Sequence, residues 1–126
     1  MSINNENNPM EMRVPLGVVS ADTLFQLKEI SKKLKILDFK ILDPTGVAED
    51  VTNFVKFQLR RDAVVIAEHS TETGNEGALA AGVWATAPET DIHDVLKGAD
   101  LNINVDIEGT GATTAGAVAV VRYIEV

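Results

Sequence analysis

Leu101-Asn-Ile-Asn-Val-Asp-Ile107, then Glu-Gly-Thr-Gly-Ala-Thr-Thr-Ala-Gly116, then Ala117-Val-Ala-Val-Val-Arg-Tyr-Ile-Glu-Val126, decides the class of this chain. Leu101, Ile103, Val105 and Ile107 alternate strictly with Asn102, Asn104, Asp106 and Glu108. Period two is the pattern of a strand with one face in a core and one in water. The 109–116 segment is small and turn-forming, and a β-branched run follows it. This reads as a β-hairpin with a long, loose tip.

Working back along the chain, strand and turn signals recur about every ten residues. Arg13–Ser20 is extended, with Pro15 marking a strand start or an edge. Lys33–Leu42 is a strand whose apolar parity changes between Leu34/Ile36 and Leu37/Phe39/Ile41, so a bulge is expected near Ile36-Leu37. Asp43-Pro-Thr-Gly46 is a turn. Asn53–Arg60 and Ala63–Thr71 form a hairpin around Arg61-Asp62, with Val64 and Ile66 inward and His69 outward. Ala78–Ala87 is a further strand, carrying the only tryptophan, Trp84. The 22–34 segment is ambiguous: Leu24, Leu27, Ile30 and Leu34 recur at helical spacing behind a Ser20 or Asp22 cap, whereas Thr23–Leu27 also serves as a strand. Periodicity favours the helix. A short helical turn is expected near 90–97, capped by Thr90 or Asp91 and ended by Gly98.

The expected fold is therefore mostly β: a single antiparallel β-sandwich or jelly-roll-like domain over residues 13–126. An extended, flexible N-terminal arm of residues 1–12 precedes it, polar and Asn-rich, with Met10 and Met12 as adaptable anchors. The length of 126 residues suits one domain with a self-sufficient core. With no cysteine there is no disulfide, thiolate metal site or cysteine nucleophile. No signal peptide or membrane span is visible, so the expected place of synthesis and residence is a cytoplasm.

Charge is uneven. Residues 1–61 hold nine Lys and Arg against eight acids, and residues 62–126 hold two against eleven, within a net charge of −8. Five lysines (Lys28, Lys32, Lys33, Lys35, Lys40) fall within thirteen residues. They read as a solvated strand edge that resists aggregation, or as a patch that docks on an acidic protein surface. Nucleic acid is a poor partner, because the overall field repels phosphate.

Chemistry is sparse, and no catalytic, metal or cofactor site is expected. His69 and His93 lack a second strong ligand at metal spacing, and Asp91-Ile-His93-Asp94 reads as a solvated turn. Asp43, Glu49 and Asp50 lack the spacing of a Ca²⁺ loop. Ser70-Thr71 and Thr113-Thr114 have no nucleophile elbow around them. Gly109-Thr-Gly111 has no lysine or helix behind it and is no phosphate cradle. Trp84 among alanines reads as a core residue between sheets, or else as an interface anchor.

Val14-Pro-Leu-Gly-Val-Val-Ser-Ala-Asp-Thr-Leu-Phe-Gln-Leu27 resembles the opening of the small β-sandwich decoration (cement) and head proteins of tailed bacteriophages, which carry a "P-x-G-x-V-x-A-D-T" phrase. Lys97-Gly-Ala-Asp-Leu-Asn-Ile-Asn-Val105 with its glycine loop is similar to their closing pattern, and Asp43–Leu59 fits their middle strand. The lysine-rich 28–35 segment departs from it. The resemblance implies a structural virion protein, not an enzyme, that binds the outer surface of the major capsid protein shell. Such a protein is commonly a homotrimer, is made in the host cytoplasm and has no membrane or nucleic-acid partner. Met10, Met12, Lys28, Lys32, Lys33, Lys35 and Trp84 are its candidate contacts. The alternatives are a carbohydrate- or ligand-binding β-sandwich module, an accessory enzyme using Asp91, His93 and Asp94, or a tail or head-completion protein.

Overall fold

The computed structural model describes residues 9–89, 94–95 and 98–125, without the side chains of Lys28 and Glu29. Among the described residues nine strands follow one another: β1 Met10–Gly17, β2 Thr23–Glu29, β3 Leu34–Leu42, β4 Phe54–Arg61, β5 Val64–Ser70, β6 Ala85–Thr86, β7 Asp94–Val95, β8 Asp100–Glu108 and β9 Ala117–Glu125. One sheet runs β1-β9-β3-β6, with β7 also on β3; the other runs β2-β8-β4-β5, and all pairings between these strands are antiparallel. The fold is a β-sandwich. No helix occurs among the described residues, and so none there is long and apolar enough to cross a membrane.

The inward-facing residues of both sheets make one core. Ile36, Phe39, Ile41, Ala119 and Val121 from the first sheet face Val55, Phe57, Leu59, Leu101, Ile103 and Val105 from the second, all essentially without solvent contact. Each large side chain so buried contributes roughly 1.5–3 kcal/mol of transfer free energy. Strict alternation in β8 is what permits this, because it delivers four apolar side chains to one face of a central strand.

The terminal hairpin expectation is wrong. β8 pairs with β2 and β4, whereas β9 pairs with β1 and β3, so the 109–116 segment crosses from one sheet to the other. Its anchor is the buried Thr114, whose Oγ1 accepts from Val19 N (2.9 Å) and donates to Gly17 O (2.7 Å). Alternation reveals which face of a strand is buried but not which strand lies beside it.

Three further expectations are corrected. Residues 23–29 are strand β2, not helix: Phe25 and Leu27 pack against the core while Leu24 is 45% exposed at a sheet edge. The helical spacing of Leu24, Leu27, Ile30 and Leu34 thus joins residues with unlike surroundings. In the expected helical turn, Asp94-Val95 instead pairs with Lys35 and Leu34 as β7, and residues 90–93 and 96–97 lie outside the described residues. The last part of the expected arm, Met10–Met12, belongs to β1 and is paired with Tyr123, Arg122 and Val121, while residues 1–8 lie outside the described residues. The bulge in β3 falls where the parity change puts it, with Leu37 the extra residue between Ile36 and Asp38.

Candidate docking face

The outward side of the first sheet brings three strands together that are far apart in sequence. Across β1, β9 and β3, opposite residues form rows: Glu11–Arg122–Asp38, then Arg13–Val120–Lys40, then Pro15–Val118–Leu42. The first row alternates in charge, and Arg122 Nε donates to Asp38 Oδ2 at 3.0 Å. In the second row two cations flank an apolar residue. Neither Arg13 nor Lys40 forms an ion pair among the described residues.

Trp84 joins this face from the residue before β6. It is 40% exposed, so it is not the core tryptophan that its alanine neighbours suggest. The Arg13 guanidinium lies 5.6 Å from its ring centroid, a cation–π distance. A shallow groove of about 200 Å³ is lined by Glu11, Arg13, Lys40, Trp84, Val120 and Arg122. Val120 forms the floor: it is on the outward side of its strand yet only 5% exposed.

The other expected contacts do not gather here. Met12 is half-buried and packs inward against the core, and Met10 is half-buried on the same strand. Lys32 Nζ lies 3.7 Å from Glu125 Oε2, and Lys33 Nζ lies 3.4 Å from Asp94 Oδ2, both at the opposite end of β3 from Trp84. Lys35 is exposed in β3 at that same end. The Lys28 side chain is outside the described residues. Arg13 is the residue that sequence reasoning missed. Its only signal was outward parity in β1.

Several of the groups considered for chemistry hold loops and strands through hydrogen bonds. His69 is buried rather than outward; its Nε2 lies 3.0 Å from Gly77 O, and its Nδ1 has no partner among the described residues. The reason is a bulge: Leu59 faces Ala67 and Arg60 faces Val65, so Ile66 is extra and the parity of β5 switches. Val64, opposite Arg61 beside the turn at the start of β5, is 41% exposed rather than inward. Asp43 is fully buried and accepts from Thr45 N (3.0 Å) and Thr45 Oγ1 (3.1 Å) through Oδ1 and from Ala115 N (2.9 Å) through Oδ2. Asp50 is exposed, and backbone N–H donors from Asn53 and Thr52 hold its carboxyl below the usual carboxylate range. Thr71 Oγ1 accepts from Val55 N at 2.9 Å. Asp91 and His93 lie outside the described residues. Among the described residues no group of three His, Cys, Asp or Glu is placed to hold a metal ion.

The second sheet's outward side is a polar ladder. Asn104 Nδ2 donates to Gln58 Oε1 and Gln58 Nε2 to Glu68 Oε1, both at 2.9 Å, and Arg60 Nε donates to Asn102 Oδ1 at 2.9 Å. At its end Asp106 sits with Glu108 and Asp22. Partial burial first, then these two carboxylates, push the Asp106 carboxyl up to about 6.

No protein family matches the chain, and no curated protein is similar to it. Among solved structures, the chain is similar to a structure of infectious bursal disease virus Gx strain, with 13% identity and a TM-score of 0.29. It is also similar to the VP2 subviral particle of infectious bursal disease virus, with 11% identity and a TM-score of 0.25. Both alignments cover 95% of this chain but only 37% and 38% of the viral chains, so it spans under two-fifths of their length. Likeness at these TM-scores carries no argument, and the sandwich stands on its own strand pairings.

Proposed function

We propose that this chain is a structural virion protein that binds the outer surface of a phage capsid and stabilises it as a decoration protein, without catalytic activity. The observation that carries the reading is the outward side of the first sheet. There a half-exposed tryptophan and two cations without ion-pair partners among the described residues surround a buried valine, which is the composition of an interface anchor. The resemblance of Val14–Leu27 and Lys97–Val105 to phage decoration proteins implies the major capsid protein as that surface's partner and a homotrimer as the oligomeric state. Repetition around symmetry axes multiplies weak contacts into stable attachment.

The carbohydrate-binding alternative needs an open aromatic platform. Trp84 is the one large aromatic among the exposed hydrophobic residues described, and Arg13 already lies against its ring.

An antibody against the purified chain, used on density-banded virus particles from the source culture, tests the reading. The chain should band with filled heads at a fixed ratio to the shell protein. Recovery only in particle-free fractions would overturn it. Light scattering on the whole chain, and on a version lacking residues 1–8, should give a trimer; a monomer would overturn the oligomeric part.

A further inference from the structure

We infer that the groove between Arg13, Trp84 and Lys40 takes a carboxylate side chain from an extended, acidic segment of a protein partner, with an apolar side chain two residues away seated on the neighbouring row. This deepens the docking reading by naming what docks, and it rests on that reading.

In the row Glu11–Arg122–Asp38 a cation stands between two anions, so its charges are complementary within the chain. In the next row Arg13 and Lys40 stand two strands apart, about 10 Å between backbones at ordinary sheet spacing, with only Val120 between them. Two like charges over an apolar floor repel each other and have no counter-charge in their own row; Glu11 also lines the groove, but neither cation forms an ion pair with it. A carboxylate above Val120 lies within reach of both long side chains, and the guanidinium offers it a two-pronged donor.

The walls narrow the choice. Trp84 and Val120 give one side of the groove an apolar surface, which strengthens charge pairing there relative to a fully polar surface. Arg13 is held by the Trp84 ring at 5.6 Å, so less side-chain freedom is lost when it engages an anion. The next row, Pro15–Val118–Leu42, is uncharged. Along an extended segment, residues i and i+2 share a face and lie roughly 6.5–7 Å apart, the same step that separates rows of a sheet. An acidic residue over Val120 therefore sets a residue two positions away over Val118, where an apolar side chain fits. A nucleic acid fits less well, since the chain as a whole carries a charge of −8 and two cations cannot follow a phosphate backbone.

The test is an NMR titration of the full chain, reading the indole N–H of Trp84, the only tryptophan. The probe is the peptide acetyl-Thr-Glu-Thr-Leu-Thr-amide, and the control has glutamine in place of glutamate. The expected result is a saturable shift with the glutamate peptide, weakened about tenfold in the control and in R13S/K40S, and reduced by salt of about 0.5 M. Lys33→Ser, on the same sheet but paired with Asp94, should leave the titration unchanged. No saturable shift up to millimolar peptide, or equal shifts from both peptides, would overturn the inference. So would Trp84 shifts that follow protein concentration before peptide is added, since the face would then be covered by a second copy. The particle-banding experiment reads the decoration role separately, and either result can fail without the other.

Discussion

Asp43 and Ala115 are 72 positions apart in sequence, yet the fully buried Asp43 carboxylate accepts the Ala115 N–H at 2.9 Å. The same residue's backbone carbonyl accepts Gly46 N (3.2 Å) and Gly82 N (2.9 Å). One side chain and its carbonyl thus join the turn after β3, the loop before β6 and the crossing between sheets.

Removing that side chain takes the acceptor from two part-buried donors and leaves a cavity at a buried position. Asp43→Ala leaves Thr45 N and Ala115 N without their acceptor, and should lower stability by roughly 1–3 kcal/mol in urea unfolding. Asp43→Asn keeps one acceptor oxygen and should cost about half as much. A loss below about 0.5 kcal/mol for the alanine variant would mean that the junction does not hold the loops together.

Gly109 and Gly111 look alike in sequence but should respond differently to alanine. Both have positive φ, +76° and +87°, which penalises any side chain by about 1 kcal/mol. At Gly109 an added Cβ would also collide with Asn53 Oδ1 and the backbone carbonyl of Thr52, whereas nothing lies near Gly111. Gly109→Ala should destabilise by about 2–4 kcal/mol and Gly111→Ala by about 1 kcal/mol. Equal melting shifts would count against this placement of the crossing.

Asp106 makes stability fall as pH rises. Its carboxyl titrates near 6 in the folded chain against an ordinary 3.8, so between those values the folded state holds more proton than the unfolded one. Its contribution is therefore fully present below about pH 4 and lost as pH rises through about 6. Asp50, with a lowered value, acts oppositely, losing its contribution as pH falls. Asp106→Asn should raise the melting temperature at pH 7 and flatten its dependence between about 4 and 6. An unchanged slope would show that Asp22 and Glu108 do not press on Asp106 as their placement implies.

Trp84 should behave as a surface residue. Its fluorescence should be quenched by iodide in the folded chain, and Trp84→Ala should change stability by less than about 1 kcal/mol. Phe57→Ala, at a site with no solvent contact, should cost about 3–5 kcal/mol. Comparable losses would return the tryptophan to the core.

Much of this architecture was legible because strand faces write themselves into single segments. Leu101–Ile107 displays its inward set directly, and the parity change at Ile36-Leu37 marks a bulge that the pairing contains. The bulge at Ile66 was invisible, because alanine and valine on both sides satisfy either parity, and so His69 was turned the wrong way. Strand β2 was hidden because Leu24, Leu27, Ile30 and Leu34, residues with unlike surroundings, fall at helical intervals. The groove was hardest to see. Arg13, Lys40, Trp84 and Val120 come from four separate segments, and only the order β1-β9-β3-β6 makes them neighbours.

That order also imposes a timetable on folding. β9 is the last of the nine strands to be synthesised, yet it lies between β1 and β3 in its sheet. Until Ala117–Val121 emerges, the first and third strands have no common partner, and Phe39 and Ile41 lack the wall that Ala119 and Val121 supply. β8, second to last, holds the same position between β2 and β4. Both layers therefore wait for the final quarter of the chain. Pairings this remote in sequence make for slow closure, on the millisecond-to-second scale typical of β-sandwiches, and oblige the nascent chain to keep its apolar strands apart until the end.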